Sequence, residues 1–187
     1  SVYDVENIDE LLKTALEIKA NPFAQQEVGK NKTIGLIFFN PSLRTRLSSI
    51  KAAYNLSANV WVLNAGADSW TLEMADGAVM NGDTQEHITE AIKVMSAYCD
   101  VLGVRTFPKL VDRDEDYNEV MFNKVKGLSS VPVVSLESAT LHPLQSFADL
   151  ITIAEKSGYT PGEKPAKKVK VVMTWAPHPK RLPQAVP

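Results

Sequence analysis

The chain has 187 residues, 44% of them apolar, which is ordinary for a soluble globular protein and enough for one domain with its own core, or one domain and a piece of another. Its 20 Lys and Arg against 22 Asp and Glu, mixed along the sequence, give a formal charge of −2 and exclude a global field for wrapping nucleic acid or an anionic membrane, so any basic site must be local. No apolar run approaches the roughly 20 residues of a membrane span, the opening SVYDVENIDELL lacks a secretory pattern, and the lone Cys99 with scattered His87, His142 and His178 gives neither a disulfide nor a metal cluster, so a cytoplasmic protein without a structural metal is expected.

Along the chain, short apolar runs alternate with amphipathic stretches, the rhythm of an α/β fold with a parallel sheet flanked by helices. An opening helix is expected through Ile8, Leu11, Leu12, Ala15 and Ile18. Strands are expected at Thr33 to Phe39, Val60 to Leu63, Val101 to Val104, Val131 to Leu136 and Val169 to Trp175, mostly apolar on both faces as buried parallel strands are. After the first strand, Leu43, Leu47, Ile50 and Tyr54 recur at helical spacing and predict one apolar stripe. Asp83 and Glu86 resemble a capping box ahead of Ile88, Ile92, Met95 and Cys99. A third helix follows Tyr117, Val120, Met121 and Val125, and a fourth follows Leu144, Phe147, Leu150, Ile151 and Ala154. Residues 64–83 make a connection long enough to suggest a functional loop. GYTPGEKPAKK, from Gly158 to Lys168, has the composition of an exposed connector, so a first domain is expected over residues 1–157 and the start of a second, Rossmann-like α/β unit over 158–187.

FFNPSLRTRLSS, Phe38 to Ser49, puts Arg44 and Arg46 where a helix begins, although the free amides of a first turn already carry partial positive charge. Two cations there are unfavourable unless an anion is bound. A phosphate would draw together those amides, the hydroxyls of Ser42 (a candidate N-cap) and Thr45, and a guanidinium fork. The alternative is that both arginines point into water. Arg105 follows one strand and Glu137 another, both at the carboxyl edge where ligands of open parallel sheets bind; a surface pair between Arg105 and the acids at 112–116 is the alternative. HPLQ, His142 to Gln145, opens the fourth helix with Pro143 at its first position, which would turn His142 and Gln145 to the same crevice.

The order FFNPSLRTRLSS, then GVRTFP at 103–108, then LESATLHPLQSFADL at 136–150, resembles the carbamoyl-phosphate half of the transcarbamylase family. Within it, SWTLE at 69–73 and VVMTWAPHPKRLPQAVP at 171–187 resemble the N-acylornithine carbamoyltransferases, more nearly the succinylornithine than the acetylornithine type. The resemblance implies that Ser42, Leu43 (through its amide), Arg44 and Thr45 bind the phosphate of carbamoyl phosphate. Thr45, Arg105 and His142 would be catalytic, polarising the carbamoyl carbonyl, and Gln145 would hold its amino group. Trp70 would reach the carbamoyl-phosphate site of a neighbouring subunit in a homotrimer. Glu137, Gln85 and His178 would serve the acylornithine side. No metal and no organic cofactor is implied.

Two departures from the family accompany these expectations. The chain stops at Pro187, before the later segments that complete the family's carbamoyl-phosphate site and thread its knot, so 175–187 is expected not to take the family's loop. Gln85 stands where glutamate accompanies acetyl and proline accompanies succinyl, and is neither. Ornithine carbamoyltransferase and a non-catalytic anion-binding domain remain as alternative readings.

Overall fold

The computed structural model describes residues 2–164 and 168–174. A 3-10 turn at Val2–Asp4 leads into α1 (Ile8–Ala20), α2 (Gln26–Gly29), β1 (Thr33–Phe38), α3 (Arg44–Asn55) and β2 (Asn59–Asn64). Two short strands, β3 (Leu72–Glu73) and β4 (Glu86–His87), precede α4 (Ile88–Ala97) and β5 (Val101–Arg105). The chain continues through α5 (Arg113–Tyr117), α6 (Val120–Leu128), β6 (Val133–Glu137) and α7 (Pro143–Ser157). The principal sheet runs β2-β1-β5-β6 and is parallel throughout, the α/β architecture that alternating apolar runs imply.

Each face of this sheet has its own core. Ile37, Leu102 and Val104 pack with Ile88 and Ile92 of α4 and Val125 of α6 on one side; on the other, Leu36, Phe38 and Leu136 meet Ile34, Ile50, Val60 and Val62. Residues buried on both faces explain why these strands read as continuous apolar runs. At the outer flank α1 is tied to the end of α7 by Lys19 to Glu155 at 2.6 Å and by the Tyr159 hydroxyl donating to Asp9 at 2.8 Å. Gly158, at φ 69°, ends α7 in the left-handed conformation that glycine adopts freely.

Four expectations are corrected. The α3 stripe is not buried as a unit: Leu43, Leu47 and Tyr54 are exposed, while Ile50 and the small Ala53 face the sheet and allow close approach. The α4 start is not an Asp83 box; Glu86 and His87 pair with β3, and His87 is the N-cap, its Nδ1 accepting from the Thr89 amide. The third helix is broken between α5 and α6 by Glu119, whose φ of 53° no helix continues through. Finally, residues 168–174 form no strand, because their backbone joins no ladder and Val169, Val171, Val172 and Met173 are exposed. A strand requires a pairing partner, which apolar composition does not supply. Residues 175–187, with His178 and the expected departure from the family's loop, lie outside the described residues. Among the described residues no helix is long and apolar enough to cross a membrane.

Gly35 is required by packing. It lies opposite Trp61 in the β1–β2 register, and a Cβ there would fall within 2.8 Å of three atoms of the Trp61 ring. The indole nitrogen is meanwhile fixed by donating to the Tyr98 carbonyl at 2.9 Å, so the ring cannot simply withdraw. Gly35→Ala is expected to destabilise the fold by about 1–3 kcal/mol in urea unfolding, the usual range for overpacking; an unchanged midpoint would refute the constraint.

Candidate functional site

At the carboxyl edge of the sheet the ladder between β5 and β6 changes step. Val104 pairs with Ser135, but Arg105 pairs with Glu137, so Leu136 is skipped. This bulge re-aims the last residue of each strand. It sets the Arg105 Nη1 2.9 Å from a Glu137 carboxylate oxygen, with both residues only 8% exposed. The same Nη1 donates to the Thr45 hydroxyl of α3 at 2.7 Å, and the guanidinium lies over the Phe107 ring, 4.6 Å from its centroid. Arg105 Nε, also buried, has no acceptor. Arg105 therefore pairs inward with Glu137 rather than with the acids at 112–116; Asp112 caps α5 and Asp116 accepts from the Lys109 and Leu110 amides.

His142 completes the cluster. It is the N-cap of α7, where Nδ1 accepts from the Gln145 amide at 3.4 Å, so in the neutral ring Nε2 carries the proton and points to Glu137, 3.4 Å away. Burial pushes the His142 pKa below 6.5, and the Arg105 cation pushes in the same direction. Burial raises the Glu137 carboxyl against the opposing pull of Arg105. Burial also lowers the guanidinium, helped by the charge of nearby Arg44 and opposed by Glu137. The arrangement is a buried cation with one counterion, a neutral imidazole donor and a spare N–H.

The start of α3 lies against this cluster through Thr45. Its N-cap is Leu43, not Ser42; Leu43 has helical dihedrals and no side chain caps the first turn. The partial positive charge of that turn is thus left uncompensated by the protein, with the exposed Arg44 adding to it. Uncapped first-turn amides of this kind favour negative charge.

Other expected residues lie elsewhere. Gln145 reaches the cluster by its backbone only, for its side-chain amide donates to Asp149 at 2.9 Å. Trp70 is 57% exposed and its indole donates to Glu86 of the same chain at 2.9 Å. Gln85 uses both its amide N–H and its side-chain carbonyl on Thr71, each at 3.2 Å, a pairing that a proline could not make. Sequence reasoning missed Phe107 under Arg105, although it stands in the quoted GVRTFP. It took Glu86 for a helix cap rather than the partner of Trp70, and it missed Lys124, which joins the long loop to α6 through the Met74 carbonyl and Asp76, both at 2.6 Å.

The carbamoyl-P binding domain of the aspartate/ornithine carbamoyltransferases matches residues 1–155. The N-succinylornithine carbamoyltransferase of Bacteroides thetaiotaomicron is 52% identical over 186 residues, covering 100% of this chain and 56% of that protein. The N-acetylornithine carbamoyltransferase of Xanthomonas campestris pv. campestris is 41% identical over 179 residues, covering 96% and 51% respectively. A crystal structure of a mutant N-acetyl-L-ornithine transcarbamylase complexed with carbamyl phosphate and N-succinyl-L-norvaline superposes with a TM-score of 0.81 at 40% identity, covering 94% of this chain and 51% of that one. The chain thus spans about half the length of the relatives it matches.

Two outcomes follow from the buried cluster. Glu137→Ala strands Arg105 without its counterion and is expected to destabilise the fold by about 3–5 kcal/mol, with Arg105→Leu/Glu137→Leu costing less in denaturant unfolding, because the double variant leaves no unpaired charge. His142 binds fewer protons in the folded than in the unfolded chain, so its contribution is intact above pH 6.5 and is lost as the pH falls through its depressed folded value. Urea unfolding at pH 7.5 and 5.5 is expected to show a smaller acid loss in His142→Gln than in the unsubstituted chain.

Proposed function

Since the chain belongs to the aspartate/ornithine carbamoyltransferase family, we propose that it acts in carbamoyl transfer from carbamoyl phosphate to the δ-amine of an N-acylornithine, giving an N-acylcitrulline and phosphate on a route to arginine. Residues 1–157 serve as the carbamoyl-phosphate-binding domain and 158–187 lead toward the acylornithine-binding domain. One observation carries this reading: a buried guanidinium with an unmatched donor, bonded to the uncapped first turn of a helix.

Ser42, the Leu43 amide, Arg44 and Thr45 hold the phosphate. Arg105, neutral His142 and Thr45 stabilise the carbonyl oxygen as it gains negative charge, a contribution that grows in a water-poor setting. The His142 Nε2 proton, directed at Glu137 before a ligand arrives, is available to that oxygen. The neutral δ-amine forms the new C–N bond, the C–O bond to phosphate breaks, and the departing phosphate takes the amine proton. Holding both substrates removes much of the entropic cost of their meeting.

Succinyl is favoured over acetyl, supported by the greater identity to the N-succinylornithine relative. Glu137, Gln85 and His178 serve that acceptor. A cytoplasmic homotrimer fits the reading, supported by the exposed Leu43, Leu47 and Tyr54 of α3 and by Trp70, which would contribute to a neighbouring carbamoyl-phosphate site. Anion binding without turnover is the second reading, favoured by the Gln145 amide being engaged with Asp149.

Isothermal titration of the chain with carbamoyl phosphate tests the site, using Arg44→Ala because Arg44 is exposed and its loss leaves the core intact. Affinity is expected to fall at least tenfold, about 1.4 kcal/mol; equal affinity in the variant would mean that Arg44 merely faces water. Citrulline-forming assays with N-succinyl-, N-acetyl- and free ornithine then test the acceptor. Faster turnover of free ornithine would overturn the acylornithine assignment.

A further inference from the structure

Between Glu137 at the end of β6 and Pro143 at the start of α7, the chain must reverse so that His142 returns to Glu137. The reversal is closed by the Ser138 amide donating to the Leu141 carbonyl at 2.8 Å. The Ser138 hydroxyl also lies 3.3 Å from that carbonyl, but it and three other donors of the turn converge on one side chain from elsewhere in the chain. Glu119 Oε1 accepts from the Ser138 hydroxyl at 2.8 Å, the Thr140 amide at 2.8 Å and the Thr140 hydroxyl, while Oε2 accepts from the Ala139 amide at 3.0 Å. Four donors thus meet one carboxylate, which offers about four lone-pair sites.

Glu119 is held for this purpose in an unfavourable conformation. It sits between α5 and α6 at φ 53° and ψ 36°, the left-handed region that a residue with a Cβ avoids. Such outliers persist only where surrounding contacts over-determine them. The side chain is the determinant, since a glycine would relieve the backbone but leave two turn amides and two hydroxyls without this acceptor.

We propose that Glu119 is the positioning residue of the site: its carboxylate fixes the turn at 138–141 and thereby holds the His142 ring against Glu137 and Arg105. It touches no reacting atom. Its bearing on carbamoyl transfer rests on the function proposed above, whereas the positioning itself does not. The chemistry demands a carboxylate, because a glutamine would turn an NH2 group toward some of the four donors. The charged groups facing His142 are Arg105 of β5, Glu137 of β6 and Asp149 of α7, and none of them changes in a Glu119 variant. A loosened turn would let water reach the ring.

The test uses the 187-residue chain with Glu119→Gln and Glu119→Asp. NMR titration of the His142 ring without ligand is the primary readout, and calorimetry with carbamoyl phosphate is the second. Glu119→Gln is expected to move the His142 midpoint upward toward 6.5 and to weaken carbamoyl phosphate at least fivefold, with Glu119→Asp restoring part of both. An unchanged His142 midpoint and tautomer in a folded Glu119→Gln chain would overturn the proposal, even if stability fell, since a purely structural role predicts that combination. Should Glu119→Gln not fold, Glu119→Asp carries the same measurement: a smaller upward shift supports positioning and no shift overturns it. If the unsubstituted chain bound no carbamoyl phosphate while the midpoint still moved in Glu119→Gln, the positioning would stand and the reading of residues 1–157 as binding carbamoyl phosphate in their own right would fall.

Discussion

Burying a guanidinium at the end of β5 creates a requirement that the whole carboxyl edge of the sheet serves. A charge taken out of water costs several kcal/mol unless a counterion and hydrogen bonds compensate, and Arg105 is 8% exposed. Glu137 provides the counterion only because β6 skips Leu136, which turns instead into the core beside Leu36 and Phe38. Thr45 provides an acceptor only because α3 starts at Arg44, after residues 39–43 lead out of β1. Phe107 covers the guanidinium face. The compensation remains incomplete at Nε. An unmatched buried donor is unfavourable by about 1–3 kcal/mol, a cost that any acceptor oxygen placed beside it would offset.

Much of this was legible in the sequence. Buried parallel strands are written as largely apolar runs, so the expected Thr33 to Phe39, Val101 to Val104 and Val131 to Leu136 fall within one or two residues of β1, β5 and β6 at each end. The position of a polar residue directly after such a run places it at the ligand edge, which is why Arg105 and Glu137 stood out, and His142 was marked by the proline that follows it. Other features depend on geometry that local pattern does not encode. Ser42 has the chemistry of an N-cap, but the turn out of β1 hands that position to Leu43. The apolar spacing of α3 describes a helix correctly while saying nothing about which side finds the sheet. Glu119 is invisible to any short-range rule, because its partners lie 19 to 21 positions further along the chain. Val169 to Met173 shows the converse: strand-like composition without a partner strand leaves an unpaired, exposed stretch.

Loops lead into this site at His142 and Trp70, and loops are ordinarily costly to order, with each residue fixed opposing folding by about 1–2 kcal/mol. The structure meets that cost with long-range anchors placed where a loop would otherwise swing. The turn ahead of His142 hangs on Glu119. The long loop is pinned near its middle, where Lys124 holds the Met74 carbonyl and Asp76 and the His87 Nε2–H donates to the Ala75 carbonyl at 2.9 Å. Glu86 holds the Trp70 indole. Each anchor uses a side chain already committed to an element: Lys124 on α6, His87 as the cap of α4, Glu86 in β4, and Glu119 at the break before α6. Three of the four thus lie within the paired strand and helix cap that open α4 or on α6, the helices that pack on the same face of the sheet. The order of the loops is therefore borrowed from one hydrophobic layer. A substitution that loosened the packing of Ile88, Ile92 and Val125 would be felt at His142 and Trp70 without touching either, because the loops that carry them are only as fixed as the helices that hold them.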